Sequence, residues 1–421
     1  MNTLKGSEGV KKVAVIGGGA SGLACAIELM HAVKNKEEVQ VTILEKLTRV
    51  GKKILVTGNG RCNLTNMNSA VSGYRGDTAF STFALNEYTP EKNIEFFNDL
   101  GLYTRVEDEG RVYPLSNQAS SVLDALRFEC ERLGVETVCD YRAVHLKVID
   151  TGVMKKIVVN NKDRFDYVVV ASGGMASKVH GTDGDSYELM KMLGHKVVSP
   201  VPALVSLNCE DFTKALKGVR SICKMDLIID GEKTMENYGE VQFTDYGLSG
   251  IPIMQMSRFV SASPSNNISI CLDVTPDFTY EQIEKYLASR RRVDTNLCEN
   301  MLIGIMNKQL CITLLKECGI APNGRVNNLT DKELASLARI MKCWKIKIKN
   351  SRSFDFAQVT AGGLDCSQFN DRTMESKLVP NIFCCGEALD IDGDCGGYNL
   401  QWAWSSGRLA GATIAERINN A

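Results

Sequence analysis

The sequence predicts an α/β protein whose two ends fold into one domain while the middle forms two inserted units, one barrel-like and β-rich, the other small and helical. Three observations predict it: a glycine-rich turn between an apolar strand and a helix near the start, a second glycine-rich turn before the last helix, and a change of texture between them. The length, 421 residues, suits about three structural units.

Residues 13–16 are a short apolar run, 23–33 carry helical spacing, and 39–44 alternate before stopping at Glu45. Strand, turn, helix and strand within about 33 residues is the size of a βαβ unit. Its turn, Gly17-Gly18-Gly19-Ala20-Ser21-Gly22, satisfies Gly-x-Gly-x-x-Gly. Gly17 permits the tight turn, Gly19 lets the backbone approach a pyrophosphate, and Gly22 lets helix and strand pack closely. The free N–H groups at the helix start, around Ala20 and Ser21, then face the phosphates with the positive end of the dipole. Glu45, followed by Lys46, stands where it can accept hydrogen bonds from a ribose, and its charge disfavours a 2′-phosphate, which leaves FAD or NAD.

Helical patterns recur at 90–100 and 119–133, and a buried strand at 167–171 ends in Ala171-Ser172-Gly173, within reach of the same cofactor. His180, beside Gly181-Thr182-Asp183-Gly184-Asp185, reads first as a surface histidine, the alternative being a loop that approaches the flavin. From 196 to 275 short strand-like runs at 203–208, 225–229 and 268–274 are separated by turns. Residues 281–341 return to helical spacing, broken near Asp294 and at 323–328. Lys345, Lys347 and Lys349 then alternate with Ile346 and Ile348, as in a half-exposed strand. Beyond Phe354 strand and glycine signals resume, and 400–418 reads as a closing amphipathic helix. The expected boundaries are 1–195 with 350–421 for the cofactor domain, 196–278 with 343–349 for the β domain, and 279–342 for the helical domain.

The second glycine cluster decides between the cofactors. After an apolar strand at 382–385 come Gly386-Glu387, Asp390, Asp392, Gly393 and Gly396-Gly397-Tyr398-Asn399-Leu400. A carboxylate after such a strand suits ribityl hydroxyls. A helix starting near Tyr398 would aim its N-terminus at a flavin pyrimidine ring, where negative charge accumulates on reduction. A nicotinamide dehydrogenase would keep its cofactor within one contiguous domain, so the reading is FAD. The loop 51–66 adds donors: Lys53, Thr57, Gly58, Arg61 and Asn63, with Lys53 and Arg61 expected on a phosphate or the flavin edge. The fold class is therefore α/β, a Rossmann-type FAD-binding domain built from both termini with inserted β-barrel-like and small helical domains.

Lys52-Lys53-x-x-x-Thr57-Gly58-x-Gly60-Arg61-Cys62-Asn63-x-Thr65-Asn66 and Gly386-Glu387-x-x-Asp390 through Gly396-Gly397-Tyr398-Asn399-Leu400-Gln401-Trp402-Ala403-Trp404 carry a resemblance. With Gly110-Arg111-Val112-Tyr113-Pro114, the run from Gly239 to Gly250 and Met374-Glu375-Ser376-Lys377, the chain resembles the BaiN/YhiN flavoproteins, the aminoacetone-oxidase-like family, nearly end to end. The resemblance implies an FAD domain assembled from both termini around inserted barrel and helical domains. Its members are linked to reduction of conjugated enone bile-acid intermediates and to oxidation of aminoacetone. Asp245 departs from the pattern, which commonly shows His after Phe-Thr.

The expected activity is an FAD-dependent oxidoreductase moving a hydride between flavin N5 and a small organic substrate, a conjugated enone first. An amine oxidase producing hydrogen peroxide is the alternative, and an FAD-dependent RNA-modifying protein a third reading. For enone reduction the expected proton donor is Tyr398, with Asp245 behind it. No second Gly-x-Gly-x-x-Gly occurs, so NADH or NADPH is expected only as a transient electron donor. Lys plus Arg number 49 against 50 Asp plus Glu, which argues against nucleic acid and against an anionic membrane as partners. Four scattered histidines give a metal little to bind, and no metal is expected. The 15 cysteines include no Cys-x-x-Cys pair and read as mostly reduced, buried thiols. A polar start with Lys5, Glu8, Lys11 and Lys12 gives no signal-peptide pattern, so a cytoplasmic protein is expected; the oligomeric state is not legible.

Overall fold

The computed structural model describes residues 9–150, 155–210 and 214–421, so the polar start with Lys5 and Glu8 lies outside the described residues. The chain divides into two compact units, one of residues up to Val201 with Gln358–Ala421, the other of Pro202–Ala357.

The first unit is built on a five-stranded parallel sheet. Its order is Ile382–Cys384, Tyr167–Val170, Lys11–Ile16, Val39–Leu44, Glu136–Val138. In the two central strands Val13–Ile16 and Tyr167–Val170 are apolar and buried because both faces are covered, as parallel sheets require. Register fixes the two ends of the chain together: Val13 pairs Tyr167, and Val169 in turn pairs Phe383. The first helix, Ala20–Ala32, and the last, Tyr398–Asn419, pack on one another.

The closing helix differs from the amphipathic reading. It is buried on most of its circumference because the first helix and helices Thr78–Glu87 and Pro90–Asp99 all pack on it. Its polar residues are satisfied inside: Gln401 accepts from Thr65 Oγ1 (2.6 Å) and Asn93 Nδ2 (3.0 Å) and donates to the Tyr88 carbonyl (2.7 Å). Trp402 and Trp404, both buried, donate their indole N–H groups to the carbonyls of Gly386 (3.0 Å) and Leu64 (2.9 Å).

Helix Ala119–Arg132 is tied to the first helix by Glu129, whose carboxylate meets Arg132 and His31. Hydrogen bonding from Arg132, joined by His31, pulls the Glu129 carboxyl from 4.5 to about 2. A carboxyl lowered in the folded state stabilises above its unfolded value and loses that contribution as pH falls. Melting temperature should therefore drop between pH 4.5 and 2, and Glu129→Gln should flatten that part of the profile. A calorimetric pH series checks it.

The second unit is a closed six-stranded barrel ordered Leu207–Cys209, Gly247–Ser249, Glu232–Phe243, Arg220–Ile229, Ile268–Asp273 and Trp344–Ser351. In Trp344–Ser351 the residues Trp344, Ile346 and Ile348 are buried while Lys345, Lys347 and Lys349 face out. The strand read at 203–208 is interrupted, because Leu204 takes a positive φ of 48° and the Val205 N–H donates to Ser257 Oγ (3.2 Å). Helices Tyr280–Val293 and Asp331–Lys342 each open with a capping box, Thr279 with Gln282 and Thr330 with Glu333. Their apolar faces join Lys308–Glu317 in one core with the barrel interior. Arg290 and Arg291 pair with Asp294 and Asp331. One disulfide, Cys271–Cys343, links a barrel strand to the end of Asp331–Lys342; the other thirteen cysteines are free thiols.

Candidate cofactor and active site

The first unit holds a cleft of about 1150 Å³, mouth included, lined from the early glycine turn to the first turn of the closing helix.

At one end Gly17 has φ 106° and its N–H donates to the Leu44 carbonyl (2.8 Å). A Cβ there would sit 2.6 Å from the Ala171 carbonyl oxygen, so only glycine passes between the two strand ends. Gly19 starts the first helix without a side-chain cap, and a Cβ on it would meet nothing within 4 Å, because it faces the cleft. The uncapped amides of Ala20 and Ser21 line the cleft beside it. Glu45 is buried, its two oxygens accepting from Gly18 N–H and Leu47 N–H, both at 2.9 Å. Each oxygen keeps a lone pair for a ribose hydroxyl.

Across the sheet Ala171, Ser172 and Gly173 line the same cleft. Ser172 Oγ is buried with no hydrogen-bond partner among the described residues. An orphaned hydroxyl on the wall of a cleft fits a site completed by a polar ligand. Lys53 and Glu387 face each other at 2.7 Å, and Glu387 also accepts from the Thr360 N–H at 2.9 Å, which fixes its carboxylate. Thr57 lines the wall nearby, and Asn399 and Leu400 supply the opening of the closing helix. The Asn399 side chain is spent on Gly393, bonding both its N–H (2.9 Å) and its carbonyl (2.8 Å).

The remaining residues expected from sequence lie behind the wall or turn away from it. Gly22, Gly58, Asn63, Gly386 and Gly397 shape the turns without lining the cleft; Asn63 Oδ1, for example, accepts from the Val112 N–H at 3.2 Å. Arg61 is directed elsewhere: it pairs with Glu107 (2.5 Å) and Asn117 (2.8 Å) and lies 3.9 Å over the Tyr113 ring. Lys46 lines the cleft, but its ammonium is held by Asp183 and Asp185. Tyr398 donates its hydroxyl to the Asn68 carbonyl (3.1 Å) and packs edge-on against Tyr74; burial pushes its pKa up. Asp245, in the second unit, forms an exposed pair with Lys217 (2.9 Å) that pulls its pKa down, the wrong direction for an acid.

Sequence reasoning gave Arg49, Tyr141 and Gln358 no role, yet all three line the cleft, as does Lys52 of the donor loop 51–66. His180, whose alternative reading is a loop approaching the flavin, lines it too; its Nδ1 shares a hydrogen bond with Ser177 Oγ (2.8 Å), and burial, helped by Lys53 and Lys52, pushes its pKa down. Arg49, Lys52 and Lys53 bring positive charge to a cleft that contains a helix start, the setting a pyrophosphate requires. No helix among the described residues is long and apolar enough to cross a membrane.

The sequence matches the family described as HI0933-like protein Rossmann domain over residues 11–413. It is 38% identical over 416 residues to the 3-dehydro-bile acid delta(4,6)-reductase of Clostridium scindens, covering 97% of this chain and 100% of the relative. It is 26% identical over 407 residues to the ribosomal RNA dihydrouridine synthase of Haemophilus influenzae, covering 96% and 98%. Among solved structures, the 3-ketosteroid delta1-dehydrogenase of Sterolibacterium denitrificans shares the fold, with a TM-score of 0.51, 13% identity, and 97% and 100% of the two chains covered. An FAD-dependent oxidoreductase by its cleft and its relatives, the chain belongs to the HI0933-like family.

Proposed function

We propose that the protein reduces a carbon–carbon double bond conjugated to a carbonyl in a small, steroid-sized enone. The single observation that carries this is 38% identity, over nearly the full length of both chains, to a reductase named for a delta(4,6) unsaturation in a 3-dehydro-bile acid. The chemistry supplied by bound FAD is hydride transfer at N5. Gly19, Ala20 and Ser21 would hold the pyrophosphate, Glu45 a ribose, Ser172 and Glu387 the polar chain between the two halves, and Asn399 with Leu400 the ring. Ile54, Val359, Ile391 and Trp402, all on the cleft wall, exclude water from it.

Lys53 is the group that adjusts reactivity in this reading. Its ammonium beside Glu387 favours negative charge in the cleft. Lys53→Met should lower the flavin midpoint potential by roughly 30–60 mV, taking about 30 mV per 1.4 kcal/mol for two electrons. Spectroelectrochemical titration measures it. Tyr398→Phe should cost less than about tenfold in turnover, far below the ~10²–10⁴-fold of a lost general acid, given that its hydroxyl is engaged by Asn68.

The functional test is anaerobic. NADH or NADPH should bleach the flavin, and a 3-oxo-4,6-diene steroid should restore its colour with the reduced steroid as product. Colour restored only by oxygen, with peroxide formed from an amine-reduced enzyme, would replace the reductase with an oxidase. A second reading has its own support in the 26% identity to a ribosomal RNA dihydrouridine synthase. Uracil also presents a double bond conjugated to a carbonyl, so that reading keeps the chemistry and changes the substrate. Loss of uridine from ribosomal RNA, with steroid enones inert, would establish it.

A further inference from the structure

The end of the cleft beside Glu45 is walled by three stretches of the first unit that meet through charge. Glu45 and Lys46 follow the strand Val39–Leu44, Tyr141 and Ala143 come after Glu136–Val138, and Gly181, Thr182 and Asp185 come after Tyr167–Val170. Backbone joins the first two: the N–H groups of Asp140 and Tyr141 donate to the carbonyls of Leu47 (3.0 Å) and Glu45 (2.9 Å). The third is folded on itself. The Gly184 N–H donates to the Gly174 carbonyl (3.0 Å), Thr182 Oγ1 donates to the Ala176 carbonyl, and His180 Nδ1 shares its hydrogen bond with Ser177 Oγ. Ser177, Gly181 and Gly184, with φ of 70°, 96° and 91°, make the turns that close it. Its base is pinned by Thr360 Oγ1, which accepts from the N–H groups of Met175 (2.8 Å) and Ala176 (3.0 Å).

Among the described residues no backbone hydrogen bond ties 177–185 to 45–47 or to 139–145. Four charged side chains hold them together instead, with Gly181 packed close on Leu47. Lys46 Nζ donates to Asp183 and to Asp185 (2.8 Å). Arg142 meets Asp185 with two parallel bonds, Nε to Oδ2 (3.2 Å) and Nη2 to Oδ1 (2.6 Å), and reaches Asp183 at 3.4 Å. Isolated surface ion pairs contribute little, but a fork on a carboxylate within a network of charges is the arrangement in which they do. Three of the four are largely shielded, the side chains of Lys46, Asp183 and Asp185 being 15%, 20% and 14% exposed. Arg142 closes the network from outside, and neither it nor Asp183 lines the cleft.

We infer that segment 177–185 is a strap across the cofactor cleft, held shut by the network of Lys46, Arg142, Asp183 and Asp185, and that opening of this network sets the rate at which FAD enters and leaves. The network joins protein to protein, so a filled cleft and an empty one pay the same to break it. Loosening it must therefore speed entry and release by one factor and leave affinity unchanged. A side chain that held the cofactor directly would behave otherwise, its loss speeding release and weakening affinity together. The inference is independent of which double bond the protein reduces.

The test chases radiolabelled FAD from the loaded protein with excess unlabelled FAD, which gives the release rate. Equilibrium dilution of the same protein gives Kd, and release divided by Kd gives the association rate. Arg142→Gln should release FAD roughly 3- to 10-fold faster, as expected for one member of a charge network, with Kd within about twofold of wild type. Arg142→Lys should fall between, since lysine keeps the charge without the planar fork. Raising salt from about 0.1 M to about 1 M shortens the screening length from about 10 Å to about 3 Å, so release from wild type should quicken more than release from Arg142→Gln. Arg127→Gln, which breaks exposed pairs with Asp124 and Glu131 on another helix of the same unit, is the control and should release as wild type does. Asp183→Asn should act as Arg142→Gln does, and it carries the comparison if the arginine variant does not fold. Release unchanged in Arg142→Gln and Asp183→Asn, equal acceleration in Arg127→Gln, or Kd raised in step with release overturns the inference.

Discussion

Gly22→Val should give a colourless protein, with at least about tenfold less bound FAD than wild type after desalting, a difference worth roughly 1.4 kcal/mol or more. The reason is local and backbone-deep. A Cβ on Gly22 would lie 2.0 Å from the Gly17 carbonyl oxygen and 3.2 Å from Val15 Cγ1. The first of these belongs to the turn itself, so no side-chain rotation relieves it, and either the turn or the first helix must move. Overpacking of this kind costs about 1–3 kcal/mol, and the movement takes the amides of Ala20 and Ser21 off the pyrophosphate. Gly19→Ala is the control, because its added methyl meets no protein atom within 4 Å. It should melt as wild type does, and any flavin it loses reports crowding of the ligand rather than of the fold. The ratio of flavin to protein absorbance decides the matter; a Gly22→Val protein with full flavin content would remove the early turn from the site.

The parts of this molecule that are legible in its sequence are those in which the local chain dictates the geometry. Residues 13–22 have one sensible conformation, since a β-branched run, a turn needing φ of 106° at Gly17 and an apolar helix follow directly upon each other. The alternation of Lys345, Lys347 and Lys349 with apolar residues, likewise, can only be a strand with one face outward. Side-chain pairing between distant segments is not legible. Arg61 meets Glu107 and Lys46 meets Asp183 and Asp185. Nothing near Arg61 or Lys46 in sequence announces those partners, and a basic residue beside a cofactor motif reads as a ligand until its counter-ion is known. The disulfide between Cys271 and Cys343 is hidden for the same reason, its cysteines being separated by 72 positions. The closing helix departs from its reading for a different one: Gln401, Ser405 and Ser406 are polar by composition but buried and hydrogen-bonded in place. A periodicity argument assigns such residues to solvent.

Gly411→Val should strongly destabilise the first unit, because it attacks the joint between the two ends of the chain. Gly407 and Gly411 are one turn apart on the face of the closing helix that meets Ala20–Ala32. A Cβ on Gly407 would stand 2.3 Å from the Ser21 carbonyl oxygen, and one on Gly411 2.4 Å from that of Cys25 and 3.0 Å from the Leu29 nitrogen. All of these are backbone atoms of a regular helix, which cannot yield individually, so the two helices must separate along their length. Separation strains the indole hydrogen bonds of Trp402 and Trp404 to Gly386 and Leu64 and opens space beside Leu23, Ile27 and Ile414, which are buried. Overpacking at the upper end of its usual range, about 3 kcal/mol, corresponds to a melting temperature lower by roughly 6–12 °C at about 2–4 °C per kcal/mol. Gly304→Ala, where an added Cβ meets nothing within 4 Å, provides the comparison and should leave the melt unchanged. Flavin fluorescence released on heating follows the same transition, since the closing helix also carries Asn399 and Leu400 into the cleft. A Gly411→Val protein that melts with wild type would mean that the two termini are not held together by this contact.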